Sequence, residues 1–383
     1  MSFMAASHVP VIVAARRTPQ GKQDGALASV RSEDLSIAVI EALLSDTDIA
    51  PQSVDDLQWG CAQQRGEQDN NLARVIALLS PLGEGVPAAT INRWCASSME
   101  AIANGANAIR AGHREVVIAG GVESMTRVPM GDSYGTLHPD IADAYNVGEL
   151  QMGMTAEKVA REFDISREAQ DAYAAQSQQR AAAATEDGRF ADELVPIETD
   201  EGLVNADEGI RPDTTAETLA NLPPVFMGDG SVTAGNASQI SDGAAGVILT
   251  SKAFAEDHDL PILGAVGHHH VAGVDPTIMG IGPVPATRGL LDAVDRTIDA
   301  YDLVELNEAF ASQAVYSQRE LDVPDEAFNV NGGAIAIGHP LGASGARLPV
   351  TLLHELNRRG GARGLATLCV GFGQGAAIEF IRE

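Results

Sequence analysis

Cys95 is the residue whose type and position first suggest chemistry. It stands in the stretch INRWCASSME, between an apolar run that predicts a strand and a series of small residues that predicts the start of a helix. Backbone N–H groups and the positive end of a helix dipole would stabilise a thiolate at such a place. An isolated cysteine is also often a small, buried, apolar residue. Position alone therefore leaves a nucleophile and a structural residue equally open.

Three residues occupy comparable positions in the second half of the chain. His339, in GHPLGASGAR, precedes a predicted helix, where it could serve as general base for a thiol or only cap the helix. Asn307, in ELNEAFA, follows a predicted strand, and an ordinary helix cap is its alternative. Cys369, in CVGFGQG, ends a predicted strand before glycines whose N–H groups could face an anion. That spacing is not the G-x-G-x-x-G of a dinucleotide site.

The sequence predicts neither a disulfide framework nor a metal site. The three cysteines, at positions 61, 95 and 369, are odd in number and show no C-x-x-C spacing. Three consecutive histidines at 268–270 lie in a strand-like run. Neighbouring side chains of a strand point to opposite faces, so these three would not converge on one ion.

Alternating strand and helix patterns position the candidate residues. In the first part of the chain, strands are predicted at 9–17, 55–61, 88–92 and 115–121, and helices at 32–46, 71–80 and 96–111. Such alternation indicates an α/β fold with a largely parallel, buried sheet. The order of Cys95, a helix and EVVIAGG recurs as His339, a helix at 343–358 and GLATLCVGFGQG. This repeated order indicates an ancient duplication.

The predicted domain organisation has three parts. Residues 1–125 and 240–262 form an N-terminal domain, and residues 263–383 form a C-terminal domain. The segment 126–239 between them has an Ala/Gln-rich helix but little strand pattern, and it is interpreted as an insertion.

The chain carries a large excess of negative charge. It has 53 acidic residues against 25 lysines and arginines, a formal net charge of −28, and lysine occurs only at positions 22, 158 and 252. Counter-ions at high salt would screen the self-repulsion of such a surface, so a halophilic source is expected. Phosphates would be repelled, so neither nucleic acid nor an anionic membrane is an expected partner.

Nothing in the sequence predicts a membrane-spanning helix, because no apolar run reaches about eighteen residues. The first residues, MSFMAASHVPVIVAARRTP, have no basic region ahead of the apolar run. They predict a first strand and not a signal peptide, and a cytoplasmic location is expected.

Taken together, the motifs resemble those of the thiolase family over essentially the whole chain. Beside Cys95 in N-R-x-C-x-S-S, motifs in thiolase order are GGVESM (120–125), GMTAE (153–157), TAGNAS (233–238), MGIGPVPA (279–286), NEAFA, GHPLGASGAR and CVGFGQG. The stretches WGCAQQRGEQDNNLAR, VPM and ISREAQDAYAAQS are most similar to bacterial β-oxidation thiolases. The resemblance implies a thiolase fold, in which two duplicated α/β domains form five αβαβα layers and carry an inserted loop domain.

The resemblance also implies catalytic roles at matching positions. Cys95 would be the nucleophile that becomes acylated, and His339 would activate it and donate to the substrate's thioester oxygen. Asn307 would hold a water that completes this oxyanion site. Cys369 would be the second acid/base, and the N–H groups of Cys95 and Gly371 would form the oxyanion hole of the acyl-enzyme step.

Coenzyme A and acyl-CoA are the implied substrates, and no tightly bound cofactor is implied. The matching CoA-binding positions are Arg211 for the nucleotide and, around the pantetheine arm, Met152, Phe226, Ala234, Ala237, Ser238 and Met279. Two positions depart from the common pattern. Gln151 replaces the histidine of biosynthetic thiolases, which leaves the preferred acyl chain open, and Ala96 stands where glycine is frequent.

The implied reaction is the reversible thiolytic cleavage of 3-ketoacyl-CoA to acetyl-CoA and a shortened acyl-CoA, as in fatty acid β-oxidation. The alternative is a biosynthetic acetoacetyl-CoA thiolase that condenses two acetyl-CoA. Cys369 argues against a decarboxylating ketoacyl synthase, and the presence of both cysteines and His339 argues against a non-catalytic acyl-CoA-binding relative. A nicotinamide dehydrogenase is also not indicated, because this chain has no G-x-G-x-x-G fingerprint after its first predicted strand. The family implies a homodimer or homotetramer, and a β-oxidation complex partner stays open.

Overall fold

The computed structural model describes residues 8–131 and 137–382, so residues 1–7 and 383 of the predicted N- and C-terminal domains and residues 132–136 of the predicted insertion lie outside it. The strands are β1 Pro10–Arg17, β2 Gly21–Lys22, β3 Asp56–Gly60, β4 Ala88–Ile91, β5 Val116–Ser124, β6 Ile197–Thr199, β7 Gly202–Val204, β8 Ser241–Ser251, β9 Gly264–Gly273, β10 Leu303–Leu306, β11 Arg363–Val370 and β12 Gln374–Ile381. The helices are α1 Ser32–Thr47, α2 Leu72–Leu79, α3 Ser97–Arg110, α4 Ile141–Ala144, α5 Met152–Glu162, α6 Arg167–Glu186, α7 Ala216–Leu219, α8 Lys252–Asp257, α9 Pro283–Val294, α10 Ala311–Leu321, α11 Ala334–Ile337 and α12 Leu341–Arg359. Within the described ranges, none of the helices combines the length and the apolar character needed to cross a membrane.

The main sheet consists of two halves that meet along a short seam. Its strand order is β10-β11-β12-β9-β1-β8-β5-β3-β4, with β2 paired to β8. Strands of the C-terminal part form one side and strands of the N-terminal part the other. At the seam between β1 and β9, Val11 pairs with Ala265 and Ile12 with Gly264.

The direction of the strands differs from the sequence prediction. The pairs β3–β4, β3–β5 and β10–β11 are parallel, whereas β8 runs antiparallel to both β1 and β5, and β12 runs antiparallel to β11 and β9. The prediction of a largely parallel sheet is therefore wrong. A tight turn at 371–373 joins β11 to β12, and such a turn can connect only antiparallel neighbours. The α/β class itself is confirmed.

Helices α3 and α12 lie between the two halves of the sheet, and helices on the two outer faces complete the five layers. Helix α12 packs against β5 and β8 of the N-terminal half and against β10 and β11 of the C-terminal half, and it also contacts α3. Helices α1 and α2 cover the outer face of the first half, and α9 covers that of the second. Gly345 lets α12 approach α3, because a Cβ there would lie 2.6 Å from the backbone nitrogen of Met99.

The segment 126–239 contributes helices and one small sheet, β6–β7, to the outside of this core. Its helix α6 is fixed to the C-terminal half through the buried carboxylate of Glu308. Tyr173 and Ser177 of α6 donate hydrogen bonds of 2.9 and 2.6 Å to that carboxylate, and the N–H of Ile335 donates another at 3.1 Å. The predicted boundaries of the three domains stay a prediction.

Candidate active site

Cys95 lies in a sharp turn between β4 and α3, two residues before the helix begins. The preceding residue, Trp94, has φ +47°, in the left-handed region that bulky side chains rarely adopt. Local hydrogen bonds hold this turn: Asn92 Oδ1 accepts from the N–H of Trp94 at 2.9 Å, and Ser97 Oγ accepts from the N–H of Arg93 at 3.0 Å. The turn therefore presents Cys95 at the N-terminus of α3, as the sequence predicted.

The Cys95 thiol is only 2% exposed. Burial raises its pKa to about 12, although the N–H groups of Gly371 and of Cys95 itself contact the sulfur and lower that pKa. Desolvation therefore outweighs the helix dipole and the two donors. At neutral pH Cys95 is therefore mainly a thiol, which must lose its proton during the reaction.

His339 occupies the corresponding place in the other half, two residues before α12 begins. Gly338, with φ +110°, forms the preceding turn, and the His339 N–H donates to the Gln239 carbonyl oxygen at 3.2 Å and to Ser241 Oγ at 3.3 Å. Burial and the nearby Arg347 guanidinium lower the pKa of His339 to about 3. The imidazole is therefore neutral at physiological pH.

Ser344 determines which nitrogen of His339 carries the proton. Its Oγ lies 2.8 Å from the Pro340 carbonyl oxygen and 2.6 Å from His339 Nδ1. A hydroxyl has one proton, and a carbonyl oxygen can only accept, so Ser344 donates to Pro340 and accepts from Nδ1–H. The lone pair of His339 consequently lies on Nε2, the form that a general base requires.

Asn307 joins this group at the end of β10. Its Nδ2 lies 3.3 Å from His339 Nε2, and its backbone N–H donates to the Thr367 carbonyl oxygen of β11 at 3.0 Å. Its Oδ1 is buried and has no hydrogen-bond partner in the described part of the chain. A buried amide oxygen without a partner can accept a hydrogen bond from a water or a substrate.

Cys369 brings the second thiol to the same place from the end of β11. It is 1% exposed, and it packs in a small apolar cluster with Met279 and Phe310. Burial and the neighbouring Cys95 raise the pKa of Cys369, so this thiol is also neutral. The structure therefore brings together Cys95, Cys369, His339 and Asn307, which are distant in sequence.

A cavity of about 700 Å³ with a mostly apolar lining reaches this group at His339, whereas Cys95, Cys369 and Asn307 are buried and are not among its lining residues. The residues proposed from the sequence that line it are His339, Gly371, Met152, Phe226, Ala234, Ala237, Ser238 and Met279. Phe226 meets Phe310 edge to face, with ring centroids 6.2 Å apart. Arg211 is exposed and does not line the cavity, and its N–H donates to Gln178 Oε1 at 2.7 Å.

Several lining residues were not predicted. Trp94 and Phe372, whose ring centroids are 5.4 Å apart, form one wall, and Leu341 forms another. Gln151, singled out only as a departure from the family, also lines the cavity, as does Lys22. The scarcity of lysine could have drawn attention to Lys22, but no local pattern indicates that β2 borders the cavity.

The three histidines at 268–270 lie in β9, so the predicted strand is confirmed. The rings of His268 and His270 stack with centroids 6.5 Å apart, whereas His269 Nε2 lies 3.7 Å from Glu100 Oε2. The side chains alternate between faces, as expected for a strand.

The chain matches known proteins over nearly its whole length. Residues 10–253 match the thiolase N-terminal domain and residues 260–382 match the thiolase C-terminal domain. The β-ketoadipyl-CoA thiolase of Pseudomonas aeruginosa is 47% identical over 96% of this chain and 97% of its own length. The 3-ketoacyl-CoA thiolase of Pseudoalteromonas translucida is 46% identical over 97% and 98%. Human mitochondrial 3-ketoacyl-CoA thiolase in complex with CoA superposes with a TM-score of 0.91 at 42% identity, covering 100% of both chains.

The chain belongs to the thiolase family. It is an acyltransferase whose class cleaves 3-ketoacyl-CoA with coenzyme A or runs the reverse condensation. The five-layer thiolase fold predicted from the motifs is confirmed.

The hydrogen bond from His339 to Ser344 provides a direct test of the proton assignment. We expect Ser344→Ala to lower kcat by about a hundredfold, within the contribution of a positioned general base, with little change in KM. ¹⁵N NMR of the histidine nitrogens should show Nδ1–H in the wild type and a mixture of tautomers in the variant.

Ser317→Ala is the matched control, because Ser317 is also a buried helical serine and its Oγ has no hydrogen-bond partner in the described residues. It should leave both kcat and the NMR signals of His339 unchanged. A wild-type spectrum with the proton on Nε2 would contradict the assignment.

Proposed function

We propose that the protein cleaves 3-ketoacyl-CoA in this cavity and carries the acyl group on Cys95 as an intermediate. The single observation that supports this proposal most strongly is the pair of N–H donors, from Gly371 and Cys95, at the Cys95 sulfur, together with a neutral His339 that lines the same cavity as Gly371. Donors fixed in this way stabilise the oxyanion that forms when a sulfur adds to a carbonyl carbon. A structural cysteine needs neither the donors nor the base.

In the first half-reaction, Cys95 Sγ attacks the 3-keto carbon while its proton passes to His339 Nε2. The Cα–Cβ bond then breaks, which leaves the acyl group on Cys95 and the enolate of acetyl-CoA. The newly protonated Nε2–H of His339, with a water held by Asn307, donates to the enolate oxygen. Cys369 gives its proton to the α-carbon, and acetyl-CoA leaves.

In the second half-reaction, the thiolate of Cys369 takes the proton of an incoming coenzyme A thiol. The coenzyme A sulfur attacks the acyl carbon, and the Cys95 sulfur leaves and recovers its proton from His339. Cys95, His339 and Cys369 thus return to their initial neutral states. Two thiols are needed because one carries the acyl group while the other moves the α-carbon proton.

The lining of the cavity supports a coenzyme A arm and an apolar acyl chain. Ala237 and Ser238 lie beside Phe310, and the Ser238 N–H donates to the Ala309 carbonyl oxygen at 3.0 Å. Met152, Phe226 and Met279 supply apolar surface in the same cavity. Arg211, exposed and outside the cavity, is proposed to contact the nucleotide end of coenzyme A.

We assign the protein to the degradative direction, the thiolysis of 3-ketoacyl-CoA in fatty acid β-oxidation.

The remaining properties proposed for the protein are a homodimeric or homotetrameric state, a cytoplasmic location and a high-salt environment. The first follows from the family, and the last from the net charge of −28. Screening at high salt would also ease the approach of an anionic ligand to an acidic protein.

Two cysteine variants test the assigned roles. Cys95→Ser should abolish the acyl-enzyme adduct that mass spectrometry detects after incubation with acyl-CoA, because the sulfur nucleophile is gone. Cys369→Ala should keep the adduct but suppress exchange of the α-protons of acetyl-CoA with solvent. Persistence of the adduct in the first variant, or of wild-type exchange in the second, would show that the roles are misassigned.

A substrate series tests the direction and the chain length. Initial rates should be higher with 3-ketoacyl-CoA of about eight carbons or more than with acetoacetyl-CoA, because burial of each additional CH₂ contributes about 0.8 kcal/mol. A preference for acetoacetyl-CoA over every longer substrate would favour the biosynthetic alternative.

The salt proposal predicts a thermal melting temperature that rises between low and molar salt, because counter-ions screen the repulsion among acidic side chains. Differential scanning calorimetry in potassium chloride would measure it. A melting temperature that stays constant or falls over this range would contradict the proposal.

A further inference from the structure

Glu123, the eighth residue of β5, holds a fully buried carboxylate outside the cavity lining. Its Oε1 accepts from the Gln63 N–H at 3.1 Å and from Gln68 Nε2 at 2.6 Å. Its Oε2 accepts from the N–H groups of Ala62 and Gly342, both at 2.9 Å. Burial raises the pKa of Glu123, and these hydrogen bonds lower it. A protonated carboxyl would need to donate from one oxygen, but both oxygens face N–H donors and Oε1 also faces the Cys61 thiol at 3.8 Å, so the donors favour the ionised form.

The orientation of the Gln68 amide is fixed independently. Its Oε1 accepts from the backbone N–H of Ser124 at 2.7 Å, so its NH₂ must face Glu123. Among residues 8–131 and 137–382, no lysine or arginine forms an ion pair with Glu123. The carboxylate is instead stabilised by backbone donors and by the N-terminus of α12.

One of these hydrogen bonds reaches the turn that carries His339. Gly342 is the second residue of α12, three residues after His339. The backbone is in close contact here, because a Cβ at Gly121 would lie 2.3 Å from the Gly342 carbonyl oxygen. The start of α12 is therefore fixed against β5 by both packing and charge.

Another hydrogen bond reaches the turn that carries Cys95. The Ala62 carbonyl oxygen accepts from Asn92 Nδ2 at 3.0 Å, and Asn92 Oδ1 accepts from the N–H of Trp94, the residue before Cys95. The N–H of Cys61 also donates to the Ile91 carbonyl oxygen at 3.0 Å. The loop that Glu123 holds thus supports the nucleophile's turn directly.

We propose that Glu123 is a positioning residue that sets the spacing between Cys95 and His339 across the two halves of the molecule. The proposal rests on the proposed roles of those two residues. Glu123 directs its hydrogen bonds to Ala62 and Gly342, beside the two turns, so it acts through the turns and not on the substrate. Displacement of a reacting group by 1 Å can reduce a rate by about a hundredfold.

Glu123→Gln tests the proposal at constant size. Its NH₂ would face N–H donors in place of one carboxylate oxygen, so the start of α12 or the loop at 62–63 must shift. We expect kcat for thiolysis to fall by about a hundredfold, with KM little changed. Glu123→Asp keeps the charge but loses one methylene of reach, and it should lose activity similarly.

Alkylation by iodoacetamide separates this role from a general loss of structure. Burial is the main cause of the raised pKa of Cys95 and of Cys61, and the negative charge of Glu123, which both thiols face, raises each pKa further. Glu123→Gln should therefore lower the pKa of Cys95 and speed its alkylation at a given pH while thiolysis slows. Glu123→Asp should slow thiolysis without that change. Peptide mapping would follow Cys95 and Cys61 separately, with Cys369 as the internal reference.

Glu157→Gln is the matched control. Glu157 is 1% exposed and accepts from the N–H groups of Ser231 and Val232, but it does not touch either catalytic turn. It should leave kcat and Cys95 alkylation close to wild type. Wild-type kcat in both Glu123 variants, or equal losses in Glu157→Gln, would overturn the proposal. Absence of an acyl adduct on wild-type Cys95 would instead overturn the proposed function.

Discussion

Exclusion of water from the reacting groups is the constraint on which the rest of the structure depends. Cys95 and Cys369 are each almost fully buried, and His339 is 5% exposed, so all three are neutral before substrate arrives. Charge must therefore develop and disappear within the site. Hydrogen-bond donors that are already in place reduce the free energy of that charge, and they are more effective where the dielectric constant is low. The apolar cavity and the fixed N–H groups therefore act together to stabilise that charge.

The duplicated architecture provides two corresponding turns for the reacting side chains. Helices α3 and α12 lie side by side between the halves of the sheet, and each begins two residues after a reacting side chain, Cys95 in one case and His339 in the other. In both turns the residue before the reacting side chain has a positive φ, +47° at Trp94 and +110° at Gly338. Equivalent positions of a repeated unit have thus acquired a nucleophile and a base.

The sequence predicted most of the elements and the members of the site, because apolar periodicity and motif order are local properties. The strand at β1, the helices α3 and α12, and the placement of Cys95 before a helix were all predicted correctly. The antiparallel direction of β8 was not predicted, since it depends on where the chain returns to the sheet after the segment 126–239. The burial of Cys95, which raises its pKa, was not predicted, because it depends on residues that come together only in the fold. Ser344 and Glu123 act through hydrogen bonds between distant segments, which one sequence does not reveal.

Helix α12 also determines how the molecule unfolds. It contributes side chains to the cores of both sheet halves, while the described strands of the two halves pair with each other along the short β1–β9 seam. Separation of the halves would expose α12 on both sides, so neither half retains a complete core by itself. The duplication has therefore produced two units that resemble each other in topology but unfold as one cooperative body.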